Sequence, residues 1–246
     1  MNDKYIEIKR YDDRARKILV KKIIIKKIPQ YINVPYKYYF SLIKKLKKKT
    51  KLLEIGAGTG ENTLRLIKMN FNVCATDISP RSVEVMRQKY SKYKNFSSKV
   101  ADMNKLPFKN NSFDIISSAG SLSYGDNNIV MNEIYRVLKF GGKAVFVDSL
   151  SNNPIYRFNR YIHYIKGNRS WSTLKRMPNI NLIEKYLKKF GYGKVRFFGS
   201  ITWAFPLLKI VLAEKVITKI SNCVDQILEV KKSAFKFVLI LNKKNK

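Results

Sequence analysis

Leu52-Leu53-Glu54-Ile55-Gly56-Ala57-Gly58-Thr59-Gly60 is an apolar run that ends in three glycines at alternate positions. A helical pattern follows at once, from Glu61 to Met69. Alternate glycines let the main chain turn sharply and leave room for a ligand to lie against it. The spacing is one residue tighter than the G-x-G-x-x-G of dinucleotide sites. About twenty residues on, a second apolar run, Val73-Cys74-Ala75-Thr76, ends in Asp77, placed to accept hydrogen bonds from ribose hydroxyls. Glycine loop plus strand-end acid predicts a site for a nucleoside-bearing cofactor.

Working outward, strand and helix patterns alternate. Strands are expected at Lys51 to Gly56, Asn72 to Ile78, Phe96 to Asp102, Phe113 to Ala119 and Lys143 to Asp148, with helices at Glu61 to Met69, Pro80 to Tyr90 and Asn128 to Leu138. Such alternation means an α/β fold with a mostly parallel sheet covered by helices on both faces. Ligands in such sheets sit at the carboxyl ends of the strands, where Gly56, Asp77, Asp102 and Ala119 fall.

Three further motifs follow the glycine loop in order: Ala101-Asp102-Met103, Ser112-Phe113-Asp114-Ile115-Ile116-Ser117-Ser118-Ala119 and Arg136-Val137-Leu138-Lys139-Phe140-Gly141-Gly142-Lys143. From Leu52 to Leu150 the chain resembles the class I S-adenosylmethionine-dependent methyltransferases. Phe140 replaces the proline usual at the last corner. The resemblance implies a Rossmann-like seven-stranded sheet of order 3-2-1-4-5-7-6 and S-adenosylmethionine as cofactor. It also implies roles. Gly56, Ala57, Gly58 and Gly60 would shape the loop against the methionine portion, and Glu54 would hold the loop and reach the cofactor amino group. Asp77 and Ile78 would lie at the ribose, Asp102 and Met103 at the adenine, and Ser118, Ala119 and Gly120 at the pocket rim. Asp114 is structural in that family. The fourth strand lacks the Asn/Asp-Pro-Pro-Tyr residues that grip a base amino group, which argues against base amino methylation.

Length and apolar content, 246 residues and 45% hydrophobic, suit one domain. We divide it into a helical leader (1–50), a cofactor-binding core (51–150) and two helical lid insertions (151–180 and 200–232), with two strands to finish (Val195 to Phe198, Ala234 to Ile240), antiparallel as the resemblance implies. In the leader, Arg14 to Lys27 reads as a basic amphipathic helix. Pro29 and Pro35 then impose a turned passage before a helix from Tyr36 to Lys48. Tyr11, Asp12 and Arg14 would precede the first helix, where a tyrosine either approaches the cofactor carboxylate or packs the leader on the sheet.

Cys74 and Cys223 have no metal-ligand or redox spacing and read as buried thiols in a reducing compartment; no metal site is expected. The first residues show no signal-peptide pattern, and Ile201 to Ile217 is broken by Pro206, Lys209, Glu214 and Lys215, so a cytoplasmic protein is expected. A formal charge of +33 invites a nucleic-acid reading, but the lysines are spread over almost every helix beside Ile, Asn, Tyr and Phe, a mixture an A/T-rich genome also writes. Two clusters, Lys21 to Lys27 and Lys44 to Lys49, suit either an anionic membrane surface or a solvated helix face. Trp203, Phe205, Leu207, Leu208, Val211 and Leu212 form core or substrate pocket if they face inward, and a membrane-docking face if they face outward.

For the acceptor side, His163, the chain's single histidine, is the candidate base for a hydroxyl proton. Arg157, Arg160, Arg169 and Arg176 stand out in a lysine-dominated chain and suit phosphate or carboxylate; Tyr124, Arg160, Arg169 and Arg176 are the substrate-binding candidates. The stretches Asn153 to Tyr156, Gly167 to Ser170, Thr173 to Pro178 and Lys231 to Lys236 resemble a bacterial and archaeal methyltransferase subgroup linked with surface-polysaccharide assembly. The expected reaction is O-methylation of a small or lipid-linked acceptor such as a sugar. A lipid or quinone ring is the alternative, and RNA a third.

Overall fold

The computed structural model describes residues 3–20, 30–167, 169–227 and 231–244. Seven strands form one sheet in the order β3-β2-β1-β4-β5-β7-β6. They are β1 (Lys51–Ile55), β2 (Asn72–Asp77), β3 (Phe96–Val100), β4 (Phe113–Ala119), β5 (Leu138–Ser149), β6 (Gly191–Phe198) and β7 (Lys236–Lys243). β1 to β5 pair parallel, and β7 runs antiparallel between β5 and β6.

The central strands are buried on both faces, which is why β1, β4 and β5 read as near-continuous apolar runs. One face packs Leu53, Ile55, Ile116, Phe146, Phe237 and Leu239 against the helices α5 (Asn127–Val137) and α8 (Ile180–Phe190). The other packs Leu52, Ile115, Val145, Val147 and Val238 against α2 (Gln30–Lys44), α3 (Thr63–Lys68) and α4 (Pro80–Tyr90). Each aliphatic side chain taken fully out of water contributes about 1.5–3 kcal/mol.

The leader differs from its expectation. The first helix, α1, spans Asp3–Val20, so Tyr11, Asp12 and Arg14 lie inside it; the cluster Lys21 to Lys27 falls outside the described residues. α2 runs through Pro35 instead of starting after it. Proline there forfeits one intrahelical bond, but the stripe Tyr39, Phe40 and Ile43 is buried on the sheet and holds the helix. Lys44 to Lys49 lies at the amino end of β1, opposite the ligand side of the sheet. There Lys48 bonds the Ile43 carbonyl at 3.5 Å and sits 4.3 Å over the Phe71 ring.

β3 closes at Val100, leaving Asp102 just beyond it in an isolated bridge with Lys105. β5 starts at Leu138, so the expected corner is already strand, with a register irregularity between Phe113 and Ile115. Neither thiol is fully buried: Cys74 is half-buried and Cys223 is exposed on α10 (Glu214–Ile227).

The two insertions go to different places. The first forms α6 (Pro154–Ile165) and α7 (Trp171–Lys175), and α7 packs on the 3₁₀ turn Leu122–Tyr124 that follows β4. The second forms α9 (Phe205–Leu208) and α10, and α10 packs on α2 and on the edge strand β6, roughly 19 Å along the sheet from β1 at the usual strand spacing. Phe205 is buried, but Trp203, Leu207 and Val211 are exposed. A four-residue helix is too short to turn a whole apolar stripe inward.

Candidate active site

The bend after β1 is built from its glycines. Gly56 takes φ +64°, and a Cβ there would sit 2.4 Å from Ser121 Cβ, so no other residue fits. Ser121 is fixed in that place: its hydroxyl bonds the Ile55 carbonyl at 3.1 Å and the Ser118 hydroxyl at 2.5 Å. Gly58, at φ +58°, is different. A Cβ there would meet nothing nearer than Glu61 Oε2 at 3.5 Å. Its lack of a side chain leaves the space beside the loop free for a ligand. Gly60 is clasped by Tyr90, whose hydroxyl donates to the Gly60 carbonyl at 2.6 Å.

Asp77 ties the loop to the next element. Its Oδ2 accepts the Gly58 amide at 2.8 Å, and its Oδ1 accepts the Ser79 amide at 2.9 Å, where α4 begins. Burial raises its pKa, against the pull of those amides. Ala57 N–H reaches the Thr76 carbonyl at 2.9 Å, so β2 supports the bend twice. Ile78 and Ala119, both half-buried, follow Asp77 and close β4, and half-buried Met103 packs beside Gly125.

Glu54 is 2% exposed and accepts the Thr63 hydroxyl at 2.6 Å. Burial pushes its carboxyl up to about 7. A cofactor ammonium group needs the ionised form, which is scarce below pH 7 and dominant above it. Affinity for S-adenosylhomocysteine is therefore expected to rise about tenfold between pH 6 and pH 8. Calorimetric titration checks this: the rise belongs to the wild type and should vanish in Glu54→Gln.

α1 lies across this site as a strap, held by polar contacts along its length. Lys4 meets Asp102 Oδ2 at 2.6 Å, Glu7 accepts the Ser170 amide at 3.1 Å, and Arg10 donates to Tyr124 at 3.1 Å. One turn on, Asp12 accepts from Ser79 Oγ at the start of α4, and Arg14 pairs with Glu61 at 3.1 Å. Tyr11 packs edge-on against Tyr124 at 5.5 Å, and burial, aided by Tyr124, raises the Tyr11 pKa. Tyr124 is thus an anchor for α1. Asp102, whose other oxygen takes the Asn104 amide at 3.0 Å, carries a lowered pKa: burial opposes ionisation, but Lys4 and Asn104 outweigh it. An adenine amino group at Asp102 would have to share it with Lys4.

The residues expected at the acceptor separate. Arg160 reaches the Ser149 hydroxyl at 3.3 Å and stacks on the Tyr156 ring at 4.7 Å. His163, three residues on from Arg160 along α6, is exposed to solvent. Arg169 and Arg176 are half-buried beside α7, where the Arg176 carbonyl accepts from Asn127 at 2.7 Å. Sequence reasoning passed over Asp148, Ser149 and Lys236. Asp148 ends an apolar strand just as Asp77 does. It is buried, accepts the amides of Leu122 at 2.8 Å and Ser149 at 2.6 Å, and its pKa is raised by burial. The signal for Lys236 is a lysine opening an apolar strand, which in a lysine-rich chain looks ordinary. Among the described residues no group of His, Cys, Asp and Glu is arranged to hold a metal, and no helix is long and apolar enough to cross a membrane.

Comparison with known proteins agrees with this geometry. Residues 53–146 match the family model described as a methyltransferase domain. The demethylmenaquinone methyltransferase of Chlorobaculum parvum is 29% identical over 166 residues, 60% of this chain and 68% of the relative. A 2-methyl-6-phytyl-1,4-hydroquinone methyltransferase of Oryza sativa is 35% identical over 114 residues, 45% of this chain and 34% of the relative. The chain thus spans about two thirds of the first relative and one third of the second. Among solved structures, the phosphoethanolamine N-methyltransferase 2 of Haemonchus contortus superposes with a TM-score of 0.60 at 18% identity, covering 86% of this chain and 53% of that one, and so shares the fold. The space beside Gly58 and the carboxylates of Glu54 and Asp77 fit an adenosyl sulfonium cofactor. Residues 53–146 thus resemble a methyltransferase domain, on a sheet of the order expected for that fold, and the cofactor that the site and the comparisons support is S-adenosylmethionine.

Proposed function

We propose that this chain transfers the methyl group of S-adenosylmethionine to a small or lipid-linked acceptor. The observation that carries the reading is the Asp77–Gly58 bond, which holds an unobstructed glycine loop at the carboxyl ends of β1 and β2. The cofactor supplies a methyl group on a sulfonium, a leaving group needing no further activation. What remains for the protein is to bind, align and exclude water. The glycine loop and Asp77 bind. α1 covers the site through Lys4, Glu7, Arg10, Asp12 and Arg14. The ends of β4 and β5, with α6, bound the acceptor side.

Within that class the lipid or quinone acceptor is the arm we favour. Ile155, Phe158 and Ile165 on α6 are exposed, as are Leu207, Ile210 and Val211, the last 83% exposed. Arg157, Lys166, Lys209 and Lys215 lie among them in sequence. Exposed apolar side chains interspersed with cations along the chain suit the surface of an anionic membrane, from which an apolar acceptor would be drawn. Two relatives are named for quinone and hydroquinone acceptors. A sugar hydroxyl is the other arm.

The test is transfer of labelled methyl from S-adenosylmethionine into fractionated cell extract. Label is expected in the organic-soluble lipid fraction. Label in the aqueous sugar fraction would move the acceptor to the sugar arm, and label in RNA, lost steeply as salt is added, would move it to nucleic acid. Cofactor binding without transfer to any fraction would contradict the enzymatic reading.

A further inference from the structure

β7 carries two buried lysines seven residues apart, and they are treated oppositely. Lys243, 4% exposed, gives its ammonium to Asn111 Oδ1 at 2.9 Å and to the carbonyls of Tyr135 and Leu138, both at 2.7 Å. Lys236, 7% exposed, makes no hydrogen bond and no ion pair with any described residue. Its Nζ lies 5.2 Å from the Tyr36 ring centroid and 5.6 Å from that of Phe235. The face of β7 toward α2 runs Ile240, Val238, Lys236, so an ammonium stands where an aliphatic side chain would complete the row. Those cation–π contacts offset only part of what desolvating a charge costs. The side chain is largely buried while its ammonium keeps its donors unused beside those rings, which suits it to take an anionic ligand.

The surroundings say which kind. Across the sheet Lys236 is paired with Ser149, whose hydroxyl accepts from Tyr156 at 3.2 Å and from Arg160 at 3.3 Å. Tyr156 packs on Phe235 with ring centroids 5.8 Å apart. Tyr36 reaches the other way, its hydroxyl 3.6 Å from where a Cβ on Gly120 would be. Gly120 directly follows β4, beside the cofactor loop. Asp148 is the nearby carboxylate, whose charged form burial disfavours and Lys236 and Arg160 both favour. Two cations against one carboxylate leave positive charge in excess, walled by three aromatic rings.

We propose that Lys236, Arg160 and Tyr36 form an anion-binding subsite that holds a phosphate or carboxylate group of the methyl acceptor beside Gly120. The proposal rests on the cofactor reading above, because Gly120 marks the methyl end only if the cofactor lies along β1 and β4. Lys236 is a binding residue for the acceptor here and leaves the cofactor untouched.

Phenyl phosphate and benzoate, each an aromatic ring bearing one anionic group, are the probes, titrated calorimetrically into the protein with and without saturating S-adenosylhomocysteine. The wild type should bind at least one of them, and the tighter of the two identifies phosphate or carboxylate as the recognised group. Lys236→Met, which completes the aliphatic row, should weaken that binding at least about tenfold and leave the S-adenosylhomocysteine affinity unchanged. Lys109→Met, at an exposed position, should change neither. Arg160→Gln, half-buried on α6, should also weaken the probe, and keeps the test decisive should Lys236→Met not fold. Wild-type affinity in both Lys236→Met and Arg160→Gln, an equal loss in Lys109→Met, or no binding by the wild type would overturn the subsite. Failure to bind S-adenosylhomocysteine counts against the cofactor reading, and the titrations without it still judge the subsite.

Discussion

Asp77→Ala is expected to raise the dissociation constant for S-adenosylhomocysteine by about a hundredfold or more. One carboxylate does two jobs in this structure. It accepts the amides of Gly58 and Ser79, and it stands at the strand end from which ribose hydroxyls would be held. A hydrogen bond to a charged group contributes about 1.5–3 kcal/mol, so losing two to the ribose alone accounts for two orders of magnitude. The loop bonds go as well, which adds a loss of preorganisation. Asp77→Asn separates the two roles: it retains an acceptor for one loop amide and should bind with intermediate affinity. Equal affinity in wild type, Asn and Ala variants would remove Asp77 from the site.

The second large effect concerns Gly56 and Gly58, two positive-φ glycines two residues apart that should respond differently. Gly56→Ala meets Ser121 Cβ at 2.4 Å in addition to an unfavourable φ. A clash with a neighbour held by two hydrogen bonds cannot relax cheaply, and about 3 kcal/mol of stability should be lost, lowering Tm by roughly 6–12 °C. Ser121→Gly in the same chain should return part of that loss, because the two positions are coupled by contact. Gly58→Ala has room for its methyl and should lower stability by only about 1–2 kcal/mol, from backbone strain. Its methyl would occupy the space reserved for the cofactor, so affinity for S-adenosylhomocysteine should fall more than about tenfold. Thermal melts and calorimetry on the two variants check the split. A Gly58→Ala protein that binds normally would show that the ligand does not approach the loop there.

The cofactor half of this account was legible because its determinants are local. Gly56, Gly58 and Gly60 announce a bend whatever packs around them, and Asp77 follows an apolar run whose length places it at a strand end. β4 and α4 fall where patterning puts them, since Phe113 and Pro80 mark their starts. The leader was less legible. Pro35 reads as a break, but the burial of Tyr39 and Ile43 against a sheet formed much later in the chain carries the helix through it. The strap role of α1 depends on partners such as Asp102, Tyr124 and Ser170, between 98 and 163 residues away, which no local pattern reveals. Lys236 was invisible for a different reason. Only its cross-strand pairing with Ser149, and the contrast with Lys243, distinguish it from the other lysines.

The bend after β1 is shaped for an adenosyl sulfonium and not for a dinucleotide. Parallel calorimetric titrations of purified protein with S-adenosylmethionine, S-adenosylhomocysteine and NAD test it most directly. Saturable binding of the first two, one molecule per chain, and no binding of NAD are expected. Binding of NAD with no response to either S-adenosyl compound would contradict this.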